Sequence, residues 1–174
     1  MNIKRIDVKD FDYFYSLLEQ DFCYEERRLR DDELKVFSNE LFHPYFIYED
    51  KTIVGYLCFW EFDDFIFGEH FAILKEIRDR ALGSTFLKEF MTKLDKPFVF
   101  EIEIPFDELS KRRKNFYNRL GVAFNKYKYS QPSYHNDDKV LPMIFASYPK
   151  PLSKKEFNRI VNLIRINVYN VEPI

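Results

Sequence analysis

Residues 2–7 alternate apolar and polar side chains, the period of a half-buried strand. Phe11, Phe14, Tyr15, Leu18 and Phe22 then fall on one helical face, with Asp10 standing where an N-cap belongs. A charge-dense stretch, residues 25–32, leads to a second helix bearing Leu34, Phe37 and Leu41, with Asp31 or Asp32 as its cap. Residues 45–49 and 52–62 read as two strands around a tight turn at Asp50-Lys51, and residues 65–73 as a further strand. Leu82, Phe86, Leu87, Phe90, Met91 and Leu94 repeat at helical spacing and stop before Pro97. Residues 98–104 alternate again, with Phe100, Ile102 and Ile104 on one face and Glu101 and Glu103 on the other.

A helix over residues 108–120 carries Leu109, Arg113, Phe116, Tyr117 and Leu120 on one side. Gly121 follows at its C′ position, where positive φ is cheap for glycine. Residues 122–129 and 140–148 are strands on either side of a loop holding Gln131-Pro132-Ser133-Tyr134. Ser153 caps a last amphipathic helix with Phe157, Ile160, Val161, Ile164 and Val168. The order predicts an α/β sheet with helices on both faces.

Composition narrows the class. The 174 residues are 46% hydrophobic and 19% aromatic, enough to fill the core of one domain and too apolar for a disordered chain. Lys and Arg number 27 against 29 Asp and Glu, a net charge of −2 that implies no nucleic-acid partner. The basic run Lys111 to Lys114 spreads around a helix, so it reads as a solvated, partly ion-paired surface. Cys23 and Cys58 form no disulfide framework, and no His stands at zinc-ligand spacing, so no metal is expected. The start resembles no signal peptide, and no stretch approaches the ~20 apolar residues of a membrane span. These features predict a soluble, cytoplasmic protein without a membrane partner.

Gly83 is one of only four glycines, in the run Arg78-Asp79-Arg80-Ala81-Leu82-Gly83-Ser84 between a strand and an amphipathic helix. A helix opening here offers unpaired backbone N–H groups and the positive end of its dipole. Small residues at 81 and 83 let a phosphate approach, and Arg78 and Arg80 add charge. Taken locally, the same run is equally a solvated turn before an ordinary helix. The common nucleotide loops GxxxxGK[ST] and GxGxxG are absent.

Residues 78–83 resemble the Q/R-x-x-G-x-G/A signature of the GCN5-related N-acetyltransferases (GNAT family), with Ala81 in place of the first glycine. Glu69-His70-Phe71-Ala72-Ile73 resembles that family's fourth strand. Phe116-Tyr117-Asn118-Arg119-Leu120-Gly121-Val122 resembles its F-Y-x-x-x-G-F element, with Val122 replacing the final aromatic. The resemblance covers residues 1 to about 148. It implies a mixed, mostly antiparallel sheet of about seven strands, in a single domain with residues 149–174 as a helical extension. That last helix either covers a sheet edge or builds a homodimer contact.

The resemblance also implies a chemistry: acetyl transfer from acetyl-CoA directly to the primary amine of a small molecule or peptide. The pantetheine arm is then expected between the fourth and fifth strands, against Phe71, Ala72 and Ile73. Residues Arg78, Asp79, Arg80, Ala81, Leu82, Gly83 and Ser84 hold the pyrophosphate, with Phe116 beside the arm. Tyr117 matches the tyrosine that protonates the departing thiolate, against a plain role in packing. Glu69 matches a carboxylate that accepts a proton. Strict alternation puts it with Phe65, Phe67, Phe71 and Ile73 on an apolar face, where burial raises its pKa, unless it simply pairs with an Arg. His70, on the opposite face, is the rival base. Relatives build the acceptor site from segments equivalent to residues 22–28 and 127–134. Phe22, Trp60, Glu101, Tyr127 and Tyr129 are the candidates there, although each also suits an ordinary core or rim position. The alternative is a non-catalytic acyl-CoA-binding or protein-interaction module of the same fold, for which Ala81 and Val122 leave room.

Overall fold

The computed structural model describes residues 1–135, 137 and 139–174, without the side chains of Asp79 and Arg80. Its strands are β1 (Asn2–Arg5), β2 (Phe42–Glu49), β3 (Thr52–Glu61), β4 (Ile66–Ile73), β5 (Phe98–Glu103), β6 (Ala123–Phe124), β7 (Tyr129–Pro132) and β8 (Val140–Tyr148). The helices are α1 (Phe11–Asp21), α2 (Arg30–Val36), α3 (Leu82–Lys93), α4 (Glu108–Arg119) and α5 (Lys154–Asn167). The strands form one sheet in the order β1-β2-β3-β4-β5-β8-β6, with β7 also paired to β8. Every pairing is antiparallel except β4 with β5.

The hairpin β2–β3 turns where expected, with Asp50 at φ 53. Gly121 has φ 79, as a helix C′ position requires. The expected strand at 122–129 is instead two short ones. Asn125 turns its side chain into the ladder, donating to Phe145 O and Ser147 Oγ and accepting from Leu152 N. Such side-chain competition for backbone partners interrupts a strand. Gln131 and Pro132, expected in a loop, pair with β8.

Two helix starts also differ from expectation in their capping. Asp10 stands at the N-cap position of α1 as expected but makes no side-chain cap bond, while Asp7 caps the 3-10 turn that runs straight into the helix, accepting from Lys9 N. Leu29 occupies the N-cap position of α2, and Asp31 and Asp32 lie within its first turn, where they complement the helix dipole instead.

Two apolar clusters sandwich the sheet. One joins α1 and α5 through Phe14, Leu18, Phe157, Ile160 and Ile164 to Phe42, Tyr56, Trp60, Phe65, Phe67 and Phe145. The other joins α3 to Leu57, Ile66, Ile73, Phe98, Phe100 and Ile102, with Phe116 and Tyr117 of α4 packed against it. The final helix is therefore embedded in the larger core. Among the described residues no helix is long and apolar enough to cross a membrane.

Candidate active site

β4 and β5 are hydrogen-bonded only at Ile66–Phe98, Phe67–Val99 and Gly68–Phe100, and then diverge. The remaining halves, Glu69 to Ile73 and Glu101 to Glu103, border a cavity of about 580 Å³. Its walls include Phe22, Glu26, His70 and Tyr134 from the α1 side of the sheet. From the α3 side come Ala81, Gly83, Ser84, Phe116 and Tyr117, so the cavity reaches both faces.

The α3 end of this cavity matches what an anion needs. Ala81 precedes the helix in the left-handed region (φ 56, ψ 13), has no side chain able to cap it, and the first turn holds no acidic residue. The first amides of a helix have no partners within it, so those of Leu82, Gly83 and Ser84 present the positive end of the dipole. Ala81 thus keeps the backbone shape that glycine would adopt, at a strain of about 1 kcal/mol. The Leu82 side chain is buried in the core rather than lining the cavity. Gly83 is small for a reason other than the one expected: a Cβ there would meet Ile73 Cγ1 at 3.2 Å, so it lets α3 approach β4. Arg78 is not a free charge for phosphate either. Its Nε donates to Ile73 O at 2.8 Å and its Nη2 to Asp21 Oδ1 at 2.6 Å, tying the loop to β4 and to the end of α1. The side chains of Asp79 and Arg80 lie outside the described residues.

Tyr117 lines the cavity, its ring centroid 4.7 Å from that of Phe100 and 5.1 Å from that of Phe116. Burial pushes its phenol up to about 12, and Arg113 offsets only part of that. It therefore keeps its proton at neutral pH and is available as a donor.

Glu69 keeps the face of Phe65 and Phe67 and shows the second of its two expected readings, a pairing with an Arg, while His70 departs from the opposite face expected for it. The register of β3 against β4 shifts so that Cys58 pairs with His70 and Phe59 with Gly68, leaving Glu69 as the extra residue of a bulge. The bulge resets the alternation. Phe65 and Phe67 face α1 and α5, Phe71 and Ile73 face α3, and Glu69 and His70 both turn toward the α1 side. There Glu69 is fully buried, receiving Arg28 Nη2 at 2.7 Å, Trp60 Nε1 at 3.0 Å and Tyr134 Oη at 3.0 Å. Burial alone would raise its pKa, but Arg28, His70 and the Trp60 donor outweigh it and hold the carboxyl below its ordinary range. A carboxylate so engaged is a poor proton acceptor. His70 donates from Nε2 to Glu26 O at 2.8 Å, and its ring stands 4.6 Å from that of Phe22.

Arg28 is the hub of this buried network. Beside Glu69 it donates to Glu33 Oε2 at 3.2 Å and to Val168 O at 3.0 Å, and its guanidinium lies over the Tyr134 ring at 4.7 Å. Burial pushes the carboxyl of Glu33 up, with Arg28 offsetting part of the effect.

Glu101 is the other carboxylate of the gap, and its surroundings are different. It has no cationic partner among the described residues; Oε1 accepts from Tyr129 Oη, and Oε2 accepts from Tyr169 Oη at 2.7 Å. Burial raises it to about 7 against the two hydroxyl bonds, with Glu69 adding to the rise. Its neighbour Glu103 is paired with Arg113 of α4.

The remaining acceptor candidates divide. Phe22 lines the cavity. Trp60 is wholly buried beneath it and serves Glu69. Tyr127 lies away from it, packed on Phe157 and donating to Leu152 O at 3.3 Å. Tyr129 reaches the site only through Glu101. Sequence reasoning gave no role to Arg28, Tyr134 or Tyr169, which come from three separate segments. Arg28 and Tyr134 end the two segments already marked for the acceptor site, residues 22–28 and 127–134, whereas Tyr169 had no such signal.

A mixed sheet that splits beside an uncapped helix start, with a proton donor and a carboxylate in the split, is the architecture of an acyl-group transferase. The profile of the Acetyltransferase (GNAT) family matches residues 11–122, and the chain belongs to that family. A protein assigned to the same family from Bacteroides thetaiotaomicron superposes with a TM-score of 0.92 at 30% identity, covering 99% of this chain and 100% of that one. The ribosomal-protein-S18-alanine N-acetyltransferase of Escherichia coli shares the fold at TM-score 0.63 and 12% identity, covering 88% of this chain and 96% of that one. An aminoglycoside 6′-N-acetyltransferase, solved with coenzyme A, does so at 0.59 and 14%, covering 87% and 100%. No curated protein sequence matches the chain significantly.

Proposed function

We propose that the protein transfers an acetyl group from acetyl-CoA directly to the primary amine of a small molecule or peptide. The observation that carries this reading is the continuity of one cavity from the open amides of α3, past Tyr117, to Glu101. The diphosphate of the donor sits on the amides of residues 82–84, and the pantetheine arm runs along β4 beside Phe71 and Ala72. The amine enters from the side of Phe22, His70 and Tyr134.

The chemistry follows from the two groups flanking the gap. An amine with a pKa near ~10 must lose a proton to become a nucleophile. Glu101, raised to about 7, is the acceptor whose pKa lies near working pH, the condition for efficient general-base catalysis. It takes over the role expected of Glu69. The amine nitrogen bonds to the thioester carbon, the carbon–sulfur bond breaks, and the thiolate takes the Tyr117 proton, which the phenol regains from water. Among proteins of the same fold are an aminoglycoside 6′-N-acetyltransferase and a ribosomal-protein-S18-alanine N-acetyltransferase, which makes an amine the consistent acceptor class.

The departures from the family motif do not weaken this reading, since Ala81 adopts a left-handed backbone that glycine takes readily and Val122 is buried in the cluster that includes α3. The test is acetyl-CoA binding followed through a broad amine panel with free CoA as the readout. Turnover with any amine supports the proposal. Tight binding without turnover across the panel favours a non-catalytic acyl-CoA-binding module, and no melting shift on adding acetyl-CoA removes both.

A further inference from the structure

Tyr169 lies two residues past α5, outside the segment matched by the family profile. Its ring is 5% exposed and packs on Tyr134 with centroids 4.9 Å apart. Its hydroxyl donates to Glu101 Oε2 at 2.7 Å and stands 3.5 Å from the Tyr134 hydroxyl, which itself donates to Glu69. The segment is anchored from several sides. Val168 N bonds back to Ile164 O at 2.8 Å, Val168 O receives Arg28 at 3.0 Å, and Val171 N bonds to Arg165 O at 3.0 Å.

We infer that Tyr169 is a positioning residue for Glu101, so that the C-terminal helix completes the acceptor half of the site. The inference rests on the reading of Glu101 as proton acceptor. A glutamate side chain is free to rotate unless its oxygens are engaged. Here each oxygen receives one hydroxyl, from Tyr129 of β7 and from Tyr169, which fixes the carboxylate plane and leaves its remaining lone pairs for the amine. Both donors favour the charged form. Around Glu101 stand Tyr129 and Tyr134 from β7 and its following loop, Tyr169 beyond α5, and Glu69 and His70 of β4 with Arg28 behind them. On its own strand is Glu103, held by Arg113 of α4. Of these, Glu69 favours the neutral form of Glu101 and the two direct hydroxyls favour the ionised form.

A direct test is a carbon-13 NMR titration of protein labelled at the glutamate carboxyls, with the Glu101 signal assigned by its loss in Glu101→Gln. Tyr169→Phe keeps the ring and its contact with Tyr134, and is expected to raise the Glu101 midpoint by about 1–2 pH units, the worth of a hydrogen bond to a charged group. Replacing Tyr169 by 3-fluorotyrosine keeps every contact but makes the phenol a stronger donor, so the midpoint moves down. Opposite movements support the inference, since a purely structural role predicts neither sign. An unmoved midpoint in both variants, or movement in the same direction, overturns it. The titration needs no acceptor, so its failure is separable from that of the reading of Glu101 as proton acceptor, which falls instead if Glu101→Gln acetylates amines at the unmutated rate.

Discussion

Glu69 and Glu101 border the same gap on adjacent strands, yet their partners push their proton affinities in opposite directions. Arg28, His70 and Trp60 hold Glu69 ionised, while burial with only hydroxyl partners raises Glu101 to about 7. For kcat/KM this predicts a rise with pH through about 7 as Glu101 loses its proton, and a flattened limb with a loss of about 10²-fold in Glu101→Gln. Stability runs the other way. The folded carboxyl holds a proton that the unfolded chain sheds above its ordinary 4.5, so its contribution is present below that pH and is lost as pH rises through 7. Denaturant unfolding should therefore show Glu101→Gln gaining about 3 kcal/mol on the parent between pH 4.5 and pH 8. Tyr117→Phe should lower kcat about 10²-fold while the acetyl-CoA Kd stays within about twofold, measured by single-turnover kinetics and calorimetry. The place of Tyr117 on the cavity was legible because it belongs to a local motif. The facing of His70 was not legible, because a one-residue bulge, which leaves no mark on composition or spacing, brings it to the same side as Glu69, and nothing local told that the Arg paired with Glu69 would be Arg28.

Among the elements, the start of α3 and the buried pair linking the segment before α2 to β4 each make a separate demand. Ala81 sits where glycine is at ease, so Ala81→Gly should hold or raise the melting temperature and leave acetyl-CoA binding intact, with up to about 1 kcal/mol of relief. A clear fall in melting temperature would show that the left-handed residue carries no strain. Arg28→Met leaves the Glu69 carboxylate buried without its cation and should cost about 3–5 kcal/mol, with Glu69→Gln in the same chain restoring part of the loss. Equal stability of the single and double variants would count against that pairing. The amphipathic helices and the Ser153 cap were readable from spacing, since each depends on residues a few positions apart. The α2 start and the break at Asn125 were not. The break at Asn125 is set by Leu152 and Ser147, partners elsewhere in the chain, and α2 begins just after Arg28, which is anchored to Glu69 of β4.

At the scale of the whole molecule, the sequence pattern alone implied helices on both faces, and the family resemblance added a mixed sheet with the arm between its fourth and fifth strands, but that β4 and β5 are the parallel pair came into view only with the structure. Periodicity says which face a residue takes and is silent on which strand lies beside it. It also left the last helix without an address. That helix places Phe157, Ile160, Val161 and Ile164 in the same cluster as Trp60 and Phe14, so a chain ending at Lys150 should fail to fold cooperatively, as judged by the loss of a sharp thermal transition. A well-folded truncated chain would make the helix an ornament.

The gap between β4 and β5 has walls on both sides of the sheet, and this has a kinetic corollary. On the proposed function, donor and acceptor arrive by opposite doorways, so neither has to leave before the other enters. Initial-rate plots against both should intersect, free CoA should compete with acetyl-CoA alone, and an acetylated product should compete with the amine alone. Parallel lines would mean that the two visit in turn.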